Sequence, residues 1–211
     1  MAIVVSTGPQ KPVLSAVDQR KKRRQARVLI EGGIIIVALC FGLLLRVLAF
    51  EGVLVTSGSM EATLYKGDYA LVDHRAAIRG SWERGDVIIF ASPESWEGPE
   101  ATLVKRIIGM PGETIAMLGG RVIVNDKIIA EPYLKEIPLP EDMQPHLLGK
   151  DEYFVMGDNR NNSDDSRDNG PVEEKYIRGR VLSRLWPRDR FGSLSKPDYS
   201  QSRPDFRAGT E

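Results

Sequence analysis

From Val28 to Phe50 the chain reads VLIEGGIIIVALCFGLLLRVLAF, 23 positions in which only Glu31 and Arg46 are charged. At a helical rise of about 1.5 Å per residue, this segment is long enough to cross a hydrocarbon core roughly 30 Å thick. A cleaved signal peptide would carry an apolar part of about 7–15 residues followed by a small-residue cleavage site. The uninterrupted stretch Gly32–Leu45 falls in that range with 14 residues. The chain then continues RVLAFEGVLV, with no A-x-A-like site. A core helix would show an apolar stripe, whereas Ile34–Leu45 is apolar on every side. Glu31 and Arg46 lie close to the two ends, where long side chains reach the interface. The expectation is an uncleaved membrane anchor over residues 28–50.

Charge orients that anchor. The whole chain balances 29 basic against 29 acidic side chains, but residues 1–27 hold seven basic residues against the lone acid Asp18, a local charge of +6. The remainder therefore carries −6. Basic residues flanking an anchor stay on the cytoplasmic side. Residues 1–27 are thus expected to form a basic cytoplasmic arm, with everything after Phe50 on the exported side of the cell membrane. An acidic exported part offers no groove for nucleic acid, and the arm beside an anchor is better explained by orientation.

After the anchor the pattern changes to short runs of period two, which predicts a mainly β, antiparallel domain over residues 52–190. Strands are expected at Tyr69–Val72, Asp86–Phe90, Thr102–Ile108, Glu113–Leu118, Arg121–Val124, Lys127–Ala130, Tyr153–Met156 and Val181–Leu185. Gly119-Gly120 and Asn125-Asp126 read as tight turns. The proline-rich stretch 131–149 reads as a loop or insertion, and the polar stretch 191–211 as a disordered tail.

Several chemistries are excluded by scarcity. One cysteine, Cys40 within the span, allows neither an internal disulfide nor a thiolate zinc site. Two histidines, His74 and His146, are too few for a multi-histidine metal centre. Asp158–Asp164 resembles a calcium loop, but Arg160 occupies a ligand position and Ser163 the required glycine. No phosphate-binding glycine loop and no G-x-S-x-G elbow is present. His74, flanked by Asp73 and Arg75, and His146, among prolines, read as surface residues.

What remains is serine and lysine. Just after the anchor comes VTSGSMEATL, small hydroxyls and a glycine in a sharp turn, readable as a linker with a helix cap or as an exposed nucleophile. A serine without histidine needs another base, and a lysine can serve if burial lowers its pKa well below about 10.4. In LVKRII, strand alternation puts Lys105 on one face with Leu103 and Ile107, and Arg106 on the other with Val104 and Ile108. That is the environment such a base requires, although an edge-strand lysine with its head in water fits the segment as well.

Four boxes occur in order after the span: S-G-S-M at 57–60, G-D-Y at 67–69, K-R-I-I-G-M-P-G-E at 105–113 and G-D-N-R-N-N-S-D-D-S-R at 157–167. With the anchor they closely resemble the type I signal peptidases of bacteria, from about Glu31 to Pro187. The resemblance implies Ser59 as nucleophile and Lys105 as general base. It implies an oxyanion hole from the Ser57 hydroxyl and the Ser59 N–H. Ser163 would orient the lysine, with Asp165 and Arg167 as an ion pair beneath the site. Val55, Met60, Leu64, Leu103 and Val104 would line shallow pockets for small residues. The implied substrates are signal peptides of exported precursors, cut after small-x-small motifs beside the lipid bilayer, with no cofactor and no metal. Two positions depart from the family pattern: Ala62 stands where proline is frequent, and Asn161 where aspartate is usual.

Rivals from other classes are a membrane-anchored binding module and a self-cleaving repressor protease. The latter would need a DNA-binding segment where this chain has a hydrophobic span.

Overall fold

A computed structural model describes residues 16–96 and 102–199. Residues 1–15 of the expected arm and 200–211 of the expected tail lie outside the described residues. The chain forms two compact units, residues 1–48 and 49–211.

The described residues of the first unit form one helix, α1 (Ala16–Leu48), which continues the apolar stretch backward through the basic run. Its 22-residue segment Arg23–Leu44 contains a window of mean hydropathy 2.2 and is long and apolar enough to cross a membrane. Leu29, Ile34, Val37, Leu39 and Leu43 are all exposed, so no single stripe is reserved for a protein core.

The second unit is mostly antiparallel β. Its strands are β1 (Phe50–Leu54), β2 (Tyr69–Asp73), β3 (Val87–Ala91), β4 (Thr102–Gly109), β5 (Thr114–Leu118), β6 (Arg121–Val124), β7 (Lys127–Ile128), β8 (Met143–Leu147), β9 (Glu152–Met156), β10 (Val172–Glu173), β11 (Ile177–Trp186) and β12 (Gly192–Ser193). Short helices α2 (Arg75–Arg79) and α3 (Ser166–Asn169) sit in the connections. The larger sheet runs β1-β2-β11-β3-β4-β9-β10, with β12 also on β11; the smaller runs β7-β6-β5-β8.

Composition explains the order. β3 and β9 are near-continuous apolar runs, VIIFA and EYFVM, and lie buried inside the large sheet beside β4. β11 is long and bulged, so that its first half pairs with β3 and its second with β2. In the small sheet Gly119 and Gly120 both take positive φ, and so do Asn125 and Asp126, closing two tight hairpins around β6.

Three apolar clusters hold the body together. Phe90, Trp96, Ile107 and Val155 form one. Ile108, Ile115, Phe154 and Met156 form a second, shared by the two sheets. Val55, Met60, Leu64, Val72 and Ile89 form the third, under the turn that follows β1.

The expected boundaries shift in three places. Phe50 belongs to the sheet, paired with Asp73 and covered by the Arg75 guanidinium 4.3 Å from its ring centroid. Stretch 131–149 contains β8, whose backbone pairs with β5 although its side chains are mostly exposed. The tail is ordered as far as it is described: β12 pairs with β11, Leu194 packs on the third cluster and Lys196 lies 3.1 Å from Asp86.

Candidate active site

Between β1 and β2 the chain makes a compact turn. The Thr63 and Leu64 N–H groups donate to the Met60 carbonyl at 3.0 and 2.7 Å, and the Glu61 N–H to the Gly58 carbonyl at 3.1 Å. Met60 and Leu64 anchor it in the third cluster. Ser59 is left half-buried at its edge, with its Oγ 3.3 Å from the exposed Ser57 Oγ.

The segment after β9 fastens this turn from the other side. The Asn159 N–H donates to the Ser59 carbonyl at 3.0 Å, and the Asn159 side-chain amide to the Gly58 carbonyl at 3.0 Å. Gly157 lies between them with no space to spare. A Cβ there would stand 2.3 Å from Ser163 Oγ and 2.5 Å from the Ser59 carbonyl oxygen. Only glycine lets the two segments approach this closely.

Lys105 comes from the middle of β4 and is 3% exposed. Its Nζ donates to Ser163 Oγ at 2.9 Å, and Ser163 Oγ donates to Asp165 Oδ2 at 2.7 Å. Burial pushes the lysine below its ordinary value; Asp165 and Asp164 push the other way, and Arg167 adds to the lowering. Burial alone would raise the Asp165 carboxyl, but Arg167 overrides it and holds the group below the usual carboxylate range. The Arg167 Nε lies 2.9 Å from Asp165 Oδ1, and the Gly157 N–H donates to Oδ2 at 3.0 Å.

Serine and lysine open into one cleft of about 660 Å³, bounded by residues 53–60, 102–105, Asn162 and Asp164. Val55, Met60, Leu103 and Val104 line it, whereas Leu64 does not; it is fully buried beneath the turn. Among the described residues no hydrogen bond joins Ser59 to Lys105: each hydroxyl or amine bonds its own neighbour, Ser57 or Ser163. Neither histidine is part of the cleft. His74 is held between Glu51 Oε2 and the Arg178 carbonyl, both at 2.8 Å, and His146 is exposed on β8 opposite Ile115.

Sequence reasoning gave Arg106 no role. Its side chain is 1% exposed and forms a two-armed ion pair with Asp158, at 2.8 and 2.6 Å. A third nitrogen donates to the Gly85 carbonyl at 2.7 Å, and the guanidinium lies 4.3 Å from the centroid of Tyr133. Asn159 and Gly157 were also unassigned. Their signal was the glycine and the amide in the last box, which has meaning only once the Ser59 turn lies against it.

An antiparallel β body that opens serine and buried lysine into one cleft, with an N-terminal helix apolar enough for a bilayer, has the makings of a peptidase working at a membrane. The family model described as signal peptidase, peptidase S26, matches residues 28–186, and the chain belongs to that family. It is 36% identical to signal peptidase I of Leptolyngbya laminosa over 72% of this chain and 77% of the relative. It is 39% identical to signal peptidase I of Bacillus amyloliquefaciens over 82% and 91% respectively. A crystal structure of signal peptidase I from Enterococcus faecalis V583 is 31% identical, covering 48% of this chain and 97% of its own, at a TM-score of 0.41. The protein is a serine peptidase of this family, and removal of signal peptides is the reaction the family supports.

Proposed function

We propose that the protein is a membrane-anchored endopeptidase that cleaves signal peptides from exported precursors after small-x-small motifs, with Ser59 as nucleophile and Lys105 as general base. The observation that carries this reading is a buried lysine, bonded through Nζ to a serine, opening into the same cleft as the Ser59 turn.

Neutral Lys105 takes the Ser59 proton as Oγ attacks the substrate carbonyl. The oxyanion forms beside the Ser59 N–H and the Ser57 hydroxyl, a pair of donors of the kind typically worth about 3–4 kcal/mol each. The lysine ammonium then protonates the departing amine of the mature chain. In the second half, Lys105 takes a proton from water, the resulting hydroxide attacks the acyl ester, and the ammonium returns its proton to Ser59. Ser163, fixed by Asp165 and Arg167, keeps Nζ aimed through both halves.

Val55, Met60, Leu103 and Val104 give the cleft an apolar lining, which suits small apolar side chains on alternate positions of an extended substrate. The anchor, residues 28 to about 48, holds enzyme and substrate in one bilayer and raises their effective concentration. Basic residues between Arg20 and Arg27 place the N-terminal arm in the cytoplasm and the β body on the exported side.

The test is cleavage of a defined precursor by the detergent-solubilised full chain, with the cut site read by mass spectrometry. Cleavage after small-x-small, lost in Ser59→Ala and Lys105→Ala, is the expected result. Activity surviving in both variants removes the dyad, and no activity in the parent favours a binding role.

A further inference from the structure

The segment between β7 and β8 has no strand of its own, yet it is tied at four points to the two turns that make the site. Lys135 Nζ reaches Glu61 at 2.7 Å, two residues beyond Ser59. The Glu131 carboxylate takes both terminal nitrogens of buried Arg160. The Leu139 N–H donates to Asn161 Oδ1 at 2.8 Å, while Asn161 Nδ2 donates to the Ile137 carbonyl at 3.2 Å. Glu141 Oε2 accepts from Arg167 Nη1 at 2.9 Å.

We propose that residues 131–142 act as a positioning strap for the Ser59 and Lys105 pair, and that Asn161 is the clip by which the strap holds the turn carrying Ser163 and Asp165. This rests on the Ser/Lys reading above.

The clip demands an amide. It faces one backbone donor and one backbone acceptor, and a primary amide satisfies both at once. An ionised aspartate, the residue usual here in the resembled family, would keep the bond to the Leu139 N–H but set a lone pair against the Ile137 carbonyl. Ile137 is 89% exposed, so the strap is held here by its backbone and not by its side chain. The other tie is equally direct. One guanidinium, Arg167, is shared by Glu141 of the strap and by Asp165, the acceptor of Ser163. A displaced strap therefore displaces the group two hydrogen bonds away from Lys105 Nζ. The strap is itself pinned to the small sheet, where the Gly120 N–H donates to the Glu141 carbonyl at 2.9 Å and the Gly119 N–H to Asp142 at 2.6 Å.

The experiment compares the parent with Asn161→Asp, Asn161→Ala and Glu141→Gln as full-length protein in detergent. Cleavage of one precursor is followed across pH, alongside thermal melting, with Ser59→Ala as the zero. The charges facing Lys105 are Asp165, Asp164 and Arg167. Loosening the turn admits water to the lysine, relieves the burial that depresses it and moves the acidic limb of kcat/KM to higher pH. The expected result is a drop of about 10-fold in kcat with KM little changed, together with that movement of the limb. A limb that stays in place in all three variants overturns the inference, whether the rate is unchanged or merely falls with the melting temperature. A parent that does not cleave, or a Ser59→Ala that does, overturns the Ser/Lys reading and the strap with it.

Discussion

Lys105 Nζ sits 2.9 Å from Ser163 Oγ, and that hydroxyl in turn donates to Asp165, so the amine is aimed by a serine and never touches the carboxylate directly. Removing the intermediary should misdirect the base without deleting it. Ser163→Ala is expected to lower kcat by about 10–100-fold, against a loss of about 10³ or more for Lys105→Ala, within the span general-base groups contribute. Steady-state cleavage of a precursor peptide measures both. Equal losses would show that Ser163 does more than orient.

The pH profile follows from the same geometry. Neutral lysine is the active form, so kcat/KM rises with pH through the pKa of Lys105. Burial lowers that value from 10.5. The acidic limb should therefore lie below the titration range of an exposed lysine, and His74→Ala should leave it in place. A limb that follows His74 would reassign the base.

The buried amine also costs stability. Its native pKa is lower than its unfolded one, so the unfolded chain holds the proton more tightly. Stability is lost as pH falls from the unfolded value near 10.5 to the native one, and the full cost is present below the latter. Lys105→Met should be inactive yet melt at the same or a higher temperature. The difference should be widest at low pH and close as pH rises; about 1 kcal/mol corresponds to roughly 2–4 °C at this size. A lower melting temperature at every pH would contradict this.

Gly157 separates the Ser59 carbonyl from Ser163 Oγ. Gly157→Ala puts a methyl 2.3 Å from the hydroxyl and 2.5 Å from the carbonyl oxygen. Both segments must part, and the expected result is near-complete loss of cleavage with the circular dichroism of the sheets retained. Activity within threefold of the parent would mean the site is far softer than its contacts imply.

Ala62 adopts φ 88°, in the left-handed region. Glycine relieves that strain, so Ala62→Gly should raise stability by about 1 kcal/mol. Proline, fixed near −65°, does not fit this turn although it is frequent at the position in the resembled family. Ala62→Pro should lower both melting temperature and activity. An active, stabilised proline variant would show that the turn takes another shape.

Much of this site was legible wherever local pattern carried it. Alternation in LVKRII separates Lys105 from Arg106, and Leu103 and Ile107 indeed pack in one cluster while Val104 and Ile108 enter two others. The hairpin at Gly119-Gly120 was readable because its glycines answer a local backbone demand. β8 was not: MQPHL contains a proline, shows no alternation and is held by backbone pairing to β5. β1 was hidden because Phe50 extends an apolar run whose cause changes at Ala49 from lipid-like composition to sheet pairing. The Arg106–Asp158 pair joins residues 52 positions apart, and the strap contacts join residues 22 to 74 positions apart. No period in the sequence encodes either.

β4 carries two buried basic side chains in succession, and their fates differ by one hydroxyl. Arg106 meets the carboxylate of Asp158 head-on and stays ionised. Lys105 is kept from Asp165 by the width of Ser163. The serine behaves as an insulator: it lets the carboxylate steer the amine while withholding the direct ionic contact that would lock the proton in place. A chain that shortened this gap by a single atom group would gain a firmer ion pair and lose its base.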